Sequence, residues 1–156
     1  MQPLEQLRQE HRDIMLQIAE LRAVVRDLTV LGQAALPEAL PVLRRIGQLT
    51  ETQLARHALK EDEILFPAVE AVLGADSSPT TVMRVEHTDI HAQAALLRSL
   101  WAHGGDATSL RASAAELIAL LDMHFDKEEQ VLFPMIEQIL DDRALAEVGR
   151  RFETLE

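Results

Sequence analysis

The N-terminal part of the chain has a hydrophobic residue at every third or fourth position, with polar residues between them. This spacing is the period of an amphipathic α-helix with one buried face. Gly32 and Pro37 then interrupt the pattern, and both residues are typical of the end of a helix. We therefore predict a first helix that ends near Gly32, with a buried stripe formed by Leu4, Leu7, His11, Ile14, Ile18, Leu21, Val25 and Leu28.

Three more long helices and one short helix follow from the same pattern. Ser78-Pro79 is a typical helix start, either Asp106 or Ser109 starts the next helix, and Gly74 and Gly104 are typical stops. The predicted ranges are about 38–73, 79–103, 106–140 and 141–154. Four long helices with short connections predict an all-α fold: an antiparallel up-down-up-down four-helix bundle with a short C-terminal fifth helix, in one domain over residues 1–156.

An internal repeat organises these helices into pairs. Residues 57–73 align without gaps to residues 124–140, with identical His, Lys, Glu, Leu, Phe, Pro, Glu and Leu. Upstream, residues 10–14 align to residues 86–90 around a shared Glu-His pair. The chain is therefore predicted to consist of two helical hairpins, about 3–73 and 79–140, related by a pseudo-two-fold axis. We expect a kink or break just before the repeated Pro67 and Pro134, because proline lacks a backbone N–H.

Both hairpins place histidine and glutamate on the stripes that the apolar residues bury. His57 and Glu61 lie one helical turn apart, and so do His124 and Glu128. The first helix of each hairpin adds its own histidine. The candidate ligands of a buried metal centre are His11, His57, Glu61, His87, His91, His124 and Glu128.

Seven buried polar groups need partners, because each unpartnered one costs roughly 1–3 kcal/mol or more. A metal centre satisfies them all at once. Other interpretations exist: the His-Glu pairs could be exposed ion pairs, His11 and His87 could be core histidines bonded to a glutamate, and His91 could bond a helix carbonyl. The recurrence of the same residue types in register on apolar stripes favours the metal.

Imidazole and carboxylate ligands suit iron, manganese or zinc, and seven ligands overfill one ion. Two ions of about six-coordination offer about twelve positions. Five histidines, two bridging glutamates and a bridging oxo or hydroxo group fill all but one, which leaves a place for a small ligand. By chain order, one ion takes His87, His91 and His124. The other takes His11 and His57, with Glu61 and Glu128 as bridges.

Several other polar and apolar residues lie near these ligands in the sequence. Glu10 and Glu86 either face solvent or accept the N–H of a ligand histidine on a neighbouring helix. Lys60 and Lys127 are predicted to cover the surface, and Val131 is predicted to lie in the core.

Composition and charge exclude several classes of function. Lys and Arg number 15 against 26 Asp and Glu, a net charge of −11, which argues against nucleic acid or an anionic membrane as partner. The chain has no cysteine, so disulfides, thiolate nucleophiles and cysteine-ligated clusters are excluded. No apolar run has the length of a membrane span, and the N-terminus is unlike a signal peptide. We therefore expect a soluble cytoplasmic protein.

The ligand pattern resembles that of the hemerythrin-like family, also called the HHE cation-binding domain. The resemblance extends from about His11 to Leu140 and includes both Leu-Phe-Pro segments. It implies a four-helix bundle around a non-haem di-iron centre that binds dioxygen, senses oxygen or nitric oxide, or handles iron and peroxide. The motifs that carry it are His11, His57-x-x-x-Glu61, His87-x-x-x-His91 and His124-x-x-x-Glu128.

Two departures from the family matter for function. The oxygen carriers of this family have an aspartate five residues after the last histidine. Here Glu128 lies four residues after His124, and Glu129 lies five after it. The related iron–sulfur repair proteins usually carry an N-terminal module with cysteines, which argues against that activity here.

The sequence leaves three functions open. The first is a di-iron protein that binds dioxygen or nitric oxide for storage, delivery or sensing, with a separate protein partner if it is a sensor. The second is a di-iron redox enzyme: an oxidase, a peroxidase, or a catalyst of nitric oxide or iron-stress repair. The third is a helical interaction module whose metal is structural.

Overall fold

A computed structural model describes residues 2–156, and these residues form helices joined by short turns. Two one-turn π segments, Glu61–Leu65 and Glu128–Leu132, interrupt the helices. The helices are α1 (Pro3–Leu31), α2 (Leu36–Glu51), α3 (Gln53–Lys60), α4 (Phe66–Leu73), α5 (Ser78–Ala102), α6 (Ala107–Lys127), α7 (Phe133–Ile139) and α8 (Asp142–Phe152). Short 3₁₀ turns cover Gly32–Ala35 and Glu153–Leu155.

Four helical rods form the bundle. The first is α1, the second runs from α2 through α4, the third is α5, and the fourth is α6 continued by α7. Helix α1 packs against α2 and α6, and α5 packs against α2 and α6. The short α8 lies against α1 and the first π segment. The predicted all-α four-helix bundle with a short C-terminal helix is confirmed.

The helix ends lie where the start and stop residues place them. Gly32 ends α1 with a φ of 58°, a left-handed conformation that favours glycine. The Asp106 carboxylate accepts the Ser109 N–H at 2.8 Å at the start of α6. Asp141 accepts the Ala144 N–H in the same way at the start of α8. Within residues 2–156, no helix has both the length and the apolar character needed to cross a bilayer.

The two π segments come directly before the two repeated prolines. In each, a backbone N–H bonds the carbonyl five residues earlier: Phe66 to Glu61 and Phe133 to Glu128. The following residue, Pro67 or Pro134, has no N–H with which to continue regular α-helical bonding. The predicted break before each proline is therefore confirmed.

Each π segment changes which side chains face the core. The wider turn contains one extra residue, so the buried stripe advances by one position after Glu128. Leu132 and Phe133 are buried there, whereas Val131 is 66% exposed. The prediction that Val131 lies in the core was wrong: the π segment turns this position outward, and the equivalent Ile64 of the first hairpin is buried because α8 covers it.

The apolar core has two parts with a polar layer between them. One cluster includes Ile14, Leu54 and Leu121, and the other includes Leu7 and Leu132. Along each rod, the histidines and glutamates of the predicted metal centre fall between the two clusters. The fold therefore surrounds these polar groups with hydrocarbon on both sides.

Candidate metal centre

Six of the seven predicted ligands meet in the middle of the bundle. Each of the four rods contributes one histidine, and the two glutamates are the first residues of the π segments. The donor atoms form two groups, and within each group they lie within 4.8 Å of one another. All six side chains are buried: His11, His57, Glu61, His87, His124 and Glu128.

The two groups share both carboxylates and differ in their histidines. One group contains His11 and His57, and the other contains His87 and His124. Glu61 and Glu128 belong to both. A carboxylate has two oxygens, so it can contact two cations at once.

The distances repeat across the pseudo-two-fold axis. The Nε2 atoms of His11 and His57 are 3.1 Å apart, and those of His87 and His124 are also 3.1 Å apart. His11 Nε2 lies 3.1 Å from an oxygen of Glu128. Similarly, His87 Nε2 lies 3.1 Å from an oxygen of Glu61. The internal repeat in the sequence is therefore also a repeat in the geometry of the site.

A carboxylate holds the outer ring nitrogen of every one of these histidines. Nδ1 of His57 donates to Glu10 at 3.0 Å, and Nδ1 of His124 donates to Glu86 at 2.9 Å. Glu10 and Glu86 were predicted either to face solvent or to accept the N–H of a ligand histidine. In the structure, each of them accepts a hydrogen bond from a ligand histidine. This bond directs the other ring nitrogen, Nε2, into the site.

The remaining two histidine–carboxylate hydrogen bonds connect one hairpin to the other. His11 of the first hairpin donates to Glu129 of the second at 2.7 Å. His87 of the second hairpin donates to Asp62 of the first at 2.8 Å. The helical pattern did not predict this role for Glu129 or Asp62. Their signal was available: each directly follows a core glutamate, and the two align in the repeat.

The spacing of the donor atoms fits a cation. A metal bonded to two nitrogens at about 2.1 Å and at right angles holds them about 3 Å apart. The two pairs of Nε2 atoms have this separation. Among residues 2–156, the second oxygens of Glu61 and Glu128 are buried and have no hydrogen-bond partner. Such atoms are costly to bury unless they have a ligand.

The electrostatics of the centre favour positive charge. Burial alone would lower the pKa of His57, but the Glu61 charge and the Glu10 hydrogen bond outweigh it and raise that pKa to about 10. The pKa of His87 is also raised to about 10, against burial, by hydrogen bonds to Asp62 and Glu61. Burial and the neighbouring Glu128 charge raise the pKa of Glu61 to about 7. Without a metal, protons neutralise this acidic cluster.

Aromatic and aliphatic side chains enclose the histidines. Phe125 stacks on His11 with ring centroids 4.0 Å apart, and Phe66 stacks on His87 at 5.7 Å. A cavity of about 10 Å³, roughly the space that one water needs, adjoins three of the ligand histidines. Its lining consists of Leu54, His57, Ala58, His87, Ile90, His91, His124 and Phe125.

The family model of the hemerythrin HHE cation-binding domain matches residues 2–136 of this chain. The chain belongs to this family. The HHE domain is also 34% identical over 89 residues to the iron–sulfur cluster repair protein YtfE of Musicola paradisiaca (strain Ech703). That match covers 52% of this chain and 40% of the relative, so the chain corresponds to less than half of that protein. The family is described as a cation-binding domain. The two His-Glu groups of this HHE domain agree with that description.

His91 occupies a different position from the other predicted ligands of this HHE domain. It is exposed and belongs to neither donor group in the described residues. It lines the small cavity beside His87 and His124. The first hairpin has Met15 at the equivalent position, so His91 lies outside the two-fold arrangement.

Lys60 breaks the symmetry of the HHE domain in a second way. The prediction that it covers the surface was wrong: its side chain is 3% exposed and bonds Glu10 at 2.8 Å and Glu156 at 2.9 Å. Helix α8 covers it, and its ammonium lies 5.8 Å from the Phe152 ring. Lys127, its counterpart, bonds Glu86 and is 45% exposed. The periodicity of α3 alone could not show that another helix covers Lys60.

Proposed function

We propose that this HHE domain holds two iron ions at the His-Glu centre and binds dioxygen or nitric oxide there. The observation that carries the proposal is the sharing of Glu61 and Glu128 by two equivalent histidine pairs. One ion would be held by His11 and His57, and the other by His87 and His124. Both glutamates would bridge. Manganese or zinc are possible substitutes, because they accept the same ligand types.

The donor set supports two ions better than one. Four imidazoles and two carboxylates with two oxygens each present eight donor atoms in two clusters. Ions of about six-coordination then retain positions for an oxo or hydroxo bridge and for small ligands. Iron in such a centre supplies the redox chemistry and the affinity for diatomic molecules.

The protein's own residues would orient the ligands and keep water out. Glu10, Asp62, Glu86 and Glu129 fix the four imidazole rings through their Nδ1 atoms. Phe125 and Phe66 cover the ring faces. The cavity next to His57, His87 and His124 suits a molecule of two atoms better than an organic substrate. These features favour binding of a small gas.

Anaerobic stopped-flow spectroscopy tests the proposal. The protein, reduced and loaded with two equivalents of Fe(II), is mixed with dioxygen and then with nitric oxide. A rapid change in the optical spectrum that reverses on removal of the gas is the expected result. Fast irreversible oxidation, with no reversible phase for either gas, would contradict reversible binding. The Glu128→Ala variant is the control that lacks one bridge.

The similarity to YtfE favours a second candidate, repair of iron–sulfur clusters. In that function, iron held by the centre would be cargo for another protein. The test is anaerobic incubation of the iron-loaded protein with a ferredoxin whose cluster has been damaged by nitric oxide. Recovery of the cluster spectrum above that with equimolar free Fe(II) supports repair. Recovery that only matches free Fe(II) argues against it.

A further inference from the structure

An apolar groove lies on the outside of the second hairpin. It has a volume of about 350 Å³ and runs between the start of α5 and the segment that joins α6 to α7. Val82 and Val131 on its walls are both substantially exposed. The groove is lined by Pro79, Val82, Met83, Lys127, Val131, Leu132 and Met135. We call this surface the second-hairpin groove.

The internal repeat gives this groove a counterpart on the first hairpin. The offsets that align the histidines also align Pro79 with Pro3 and Lys127 with Lys60. The full set of equivalent residues is Pro3, Gln6, Leu7, Lys60, Ile64, Leu65 and Ala68. Equivalent rods and equivalent π segments therefore build the two grooves.

On the first hairpin, this groove is filled by helix α8. Val148 and Phe152 join the same buried cluster as Leu7 and Ile64. Gly149 lies beside Pro3, so that a Cβ added to it would be in ordinary van der Waals contact with the Pro3 ring at 3.7 Å. After the helix, the Glu156 carboxylate bonds Lys60. The occupant is an amphipathic helix with apolar residues at a spacing of four and a carboxylate four residues further on.

Exposure of the equivalent residues shows how the two grooves differ. Ile64 is 3% exposed under α8, whereas its equivalent Val131 is 66% exposed. Lys60 bonds both Glu10 and Glu156, whereas Lys127 bonds Glu86, the equivalent of Glu10. Among residues 2–156, Lys127 has no second carboxylate partner equivalent to the Glu156 that bonds Lys60. The second-hairpin groove therefore has the two features that bind α8 on the first hairpin: apolar side chains along its sides and a lysine at its edge.

We propose that the second-hairpin groove binds an amphipathic helix of a partner protein, with the chemistry that α8 shows on the first hairpin. The partner helix presents two apolar side chains four residues apart, one of them aromatic or large, and a carboxylate to Lys127. The second-hairpin groove is more apolar than its counterpart on the first hairpin. Val82 occupies the position equivalent to Gln6, and Met135 occupies the position equivalent to Ala68. Apolar burial and a complementary charge then act together.

A second copy of this chain fits the groove less well. Two copies related by a two-fold axis would bring like surfaces together, with one Lys127 facing the other. Each copy also carries a net charge of −11, and this charge opposes self-association. Helix α8 of a second copy is already packed in that copy's own first hairpin. These features favour a partner helix of a different protein.

The test uses the whole 156-residue chain and a helical peptide of known sequence. The probe is a fluorescein-labelled peptide of residues 141–156 with the substitution Arg143→Lys, held helical by a lactam bridge between that amine and the Glu147 carboxyl; both positions are exposed in α8. We expect saturable binding by fluorescence polarisation, with methyl NMR shifts at Val82 and Val131 and none at Ile64. The Val131→Glu variant should weaken binding at least about tenfold, whereas Val30→Glu, at another exposed valine, should change it less than about twofold.

Peptide variants test the two recognition elements. Phe152→Ala in the peptide should abolish most binding, and Glu156→Gln should weaken it and reduce its salt dependence. Unchanged metal content and melting temperature of the Val131→Glu protein show that the variant is folded, and they separate this test from the proposed function.

Three outcomes of the peptide experiments overturn the proposal. They are no binding at millimolar peptide, equal binding by the Val131→Glu protein, and NMR shifts at Ile64 instead of Val131. Analytical sedimentation could also reveal a dimer that depends on Val131 and that the peptide does not dissociate. That result would assign the groove to a second copy of the chain and would also overturn the proposal.

Discussion

The Nε2 atoms of His11 and His57 lie 3.1 Å apart inside the bundle, with both outer Nδ1 atoms bonded to carboxylates. Two neutral imidazoles in this arrangement point lone pairs at each other. The contact is favourable only when a proton or a metal ion lies between or beside the two nitrogens.

Loss of either shared glutamate should remove most of the metal. Glu61→Ala and Glu128→Ala each take donor atoms from both clusters, so we expect the metal content per chain to fall by more than about half. Elemental analysis of the purified variants measures it. Glu63→Ala, at an exposed position of the first π segment, is the matched control and should bind as the unmodified protein does. A Glu128→Ala protein with normal metal content would refute a bridging role.

Loss of an outer carboxylate should weaken binding without removing a ligand. In Glu86→Gln, the amide no longer provides the charged acceptor for the His124 N–H, and we expect metal affinity to fall about 10- to 100-fold. Competition with a chromophoric chelator measures the affinity. Asp89→Asn, an exposed neighbour on the same helix, removes the same charge and should change the affinity little. Equal effects of the two variants would indicate a general charge effect.

Metal binding should strengthen as the pH rises. His57 and His87 have a pKa of about 10 in the metal-free protein, so they carry protons at neutral pH that a cation must displace. Titrations with Zn²⁺ between about pH 6 and pH 8 should show increasing affinity with pH. Calorimetry in buffers of different ionisation enthalpy should show proton release. Affinity that is independent of pH would contradict histidine ligation.

The metal-free protein should show the opposite trend in stability. The folded-state pKa of His57 lies above the ordinary value of 6.5, at about 10. Protonation therefore stabilises the folded state fully below about pH 6.5, and this contribution disappears as the pH rises through about 10. Urea unfolding of the metal-free protein should give a lower free energy of unfolding at pH 10 than at pH 7. The His57→Gln variant should lose less stability over this interval, and an equal loss would rule out His57 as the cause.

The two equivalent lysines should differ in their effect on stability. Lys60→Met leaves Glu10 without its buried cation, and we expect a loss of about 1–3 kcal/mol in the free energy of unfolding. Lys127→Met removes an exposed partner and should cost less than about 1 kcal/mol. Urea unfolding of the metal-free variants measures both. Equal losses would show that the cover of α8 does not matter.

Much of the fold and most of the site followed from periodicity. The stripe of Leu7, His11 and Ile14 showed both the helix and the burial of its histidine, because three- and four-residue steps define one helical face. Val131 could not be placed in this way, since the π segment inserts one residue into the stripe and α8 covers the equivalent Ile64 instead. The proline signalled a break there, but not its type.

Contacts between rods were the other part that the sequence did not reveal. Glu129 holds His11 from the opposite hairpin, and Lys60 is covered by a helix that comes more than eighty residues later. Such contacts depend on how rods pack, and a stripe on one helix carries no information about its neighbours. The same limit applies to His91, which is one turn from His87 but faces the edge of the site.

The crossed bonds of His11 to Glu129 and of His87 to Asp62 have a consequence for assembly. Neither hairpin contains a complete set of supports for its own histidines, so a nascent chain that has emerged only as far as the third rod cannot trap a cation with full affinity. Full metal affinity therefore requires that the two hairpins have packed together in the correct register. Metal affinity in this domain should therefore depend on the completed topology of the bundle.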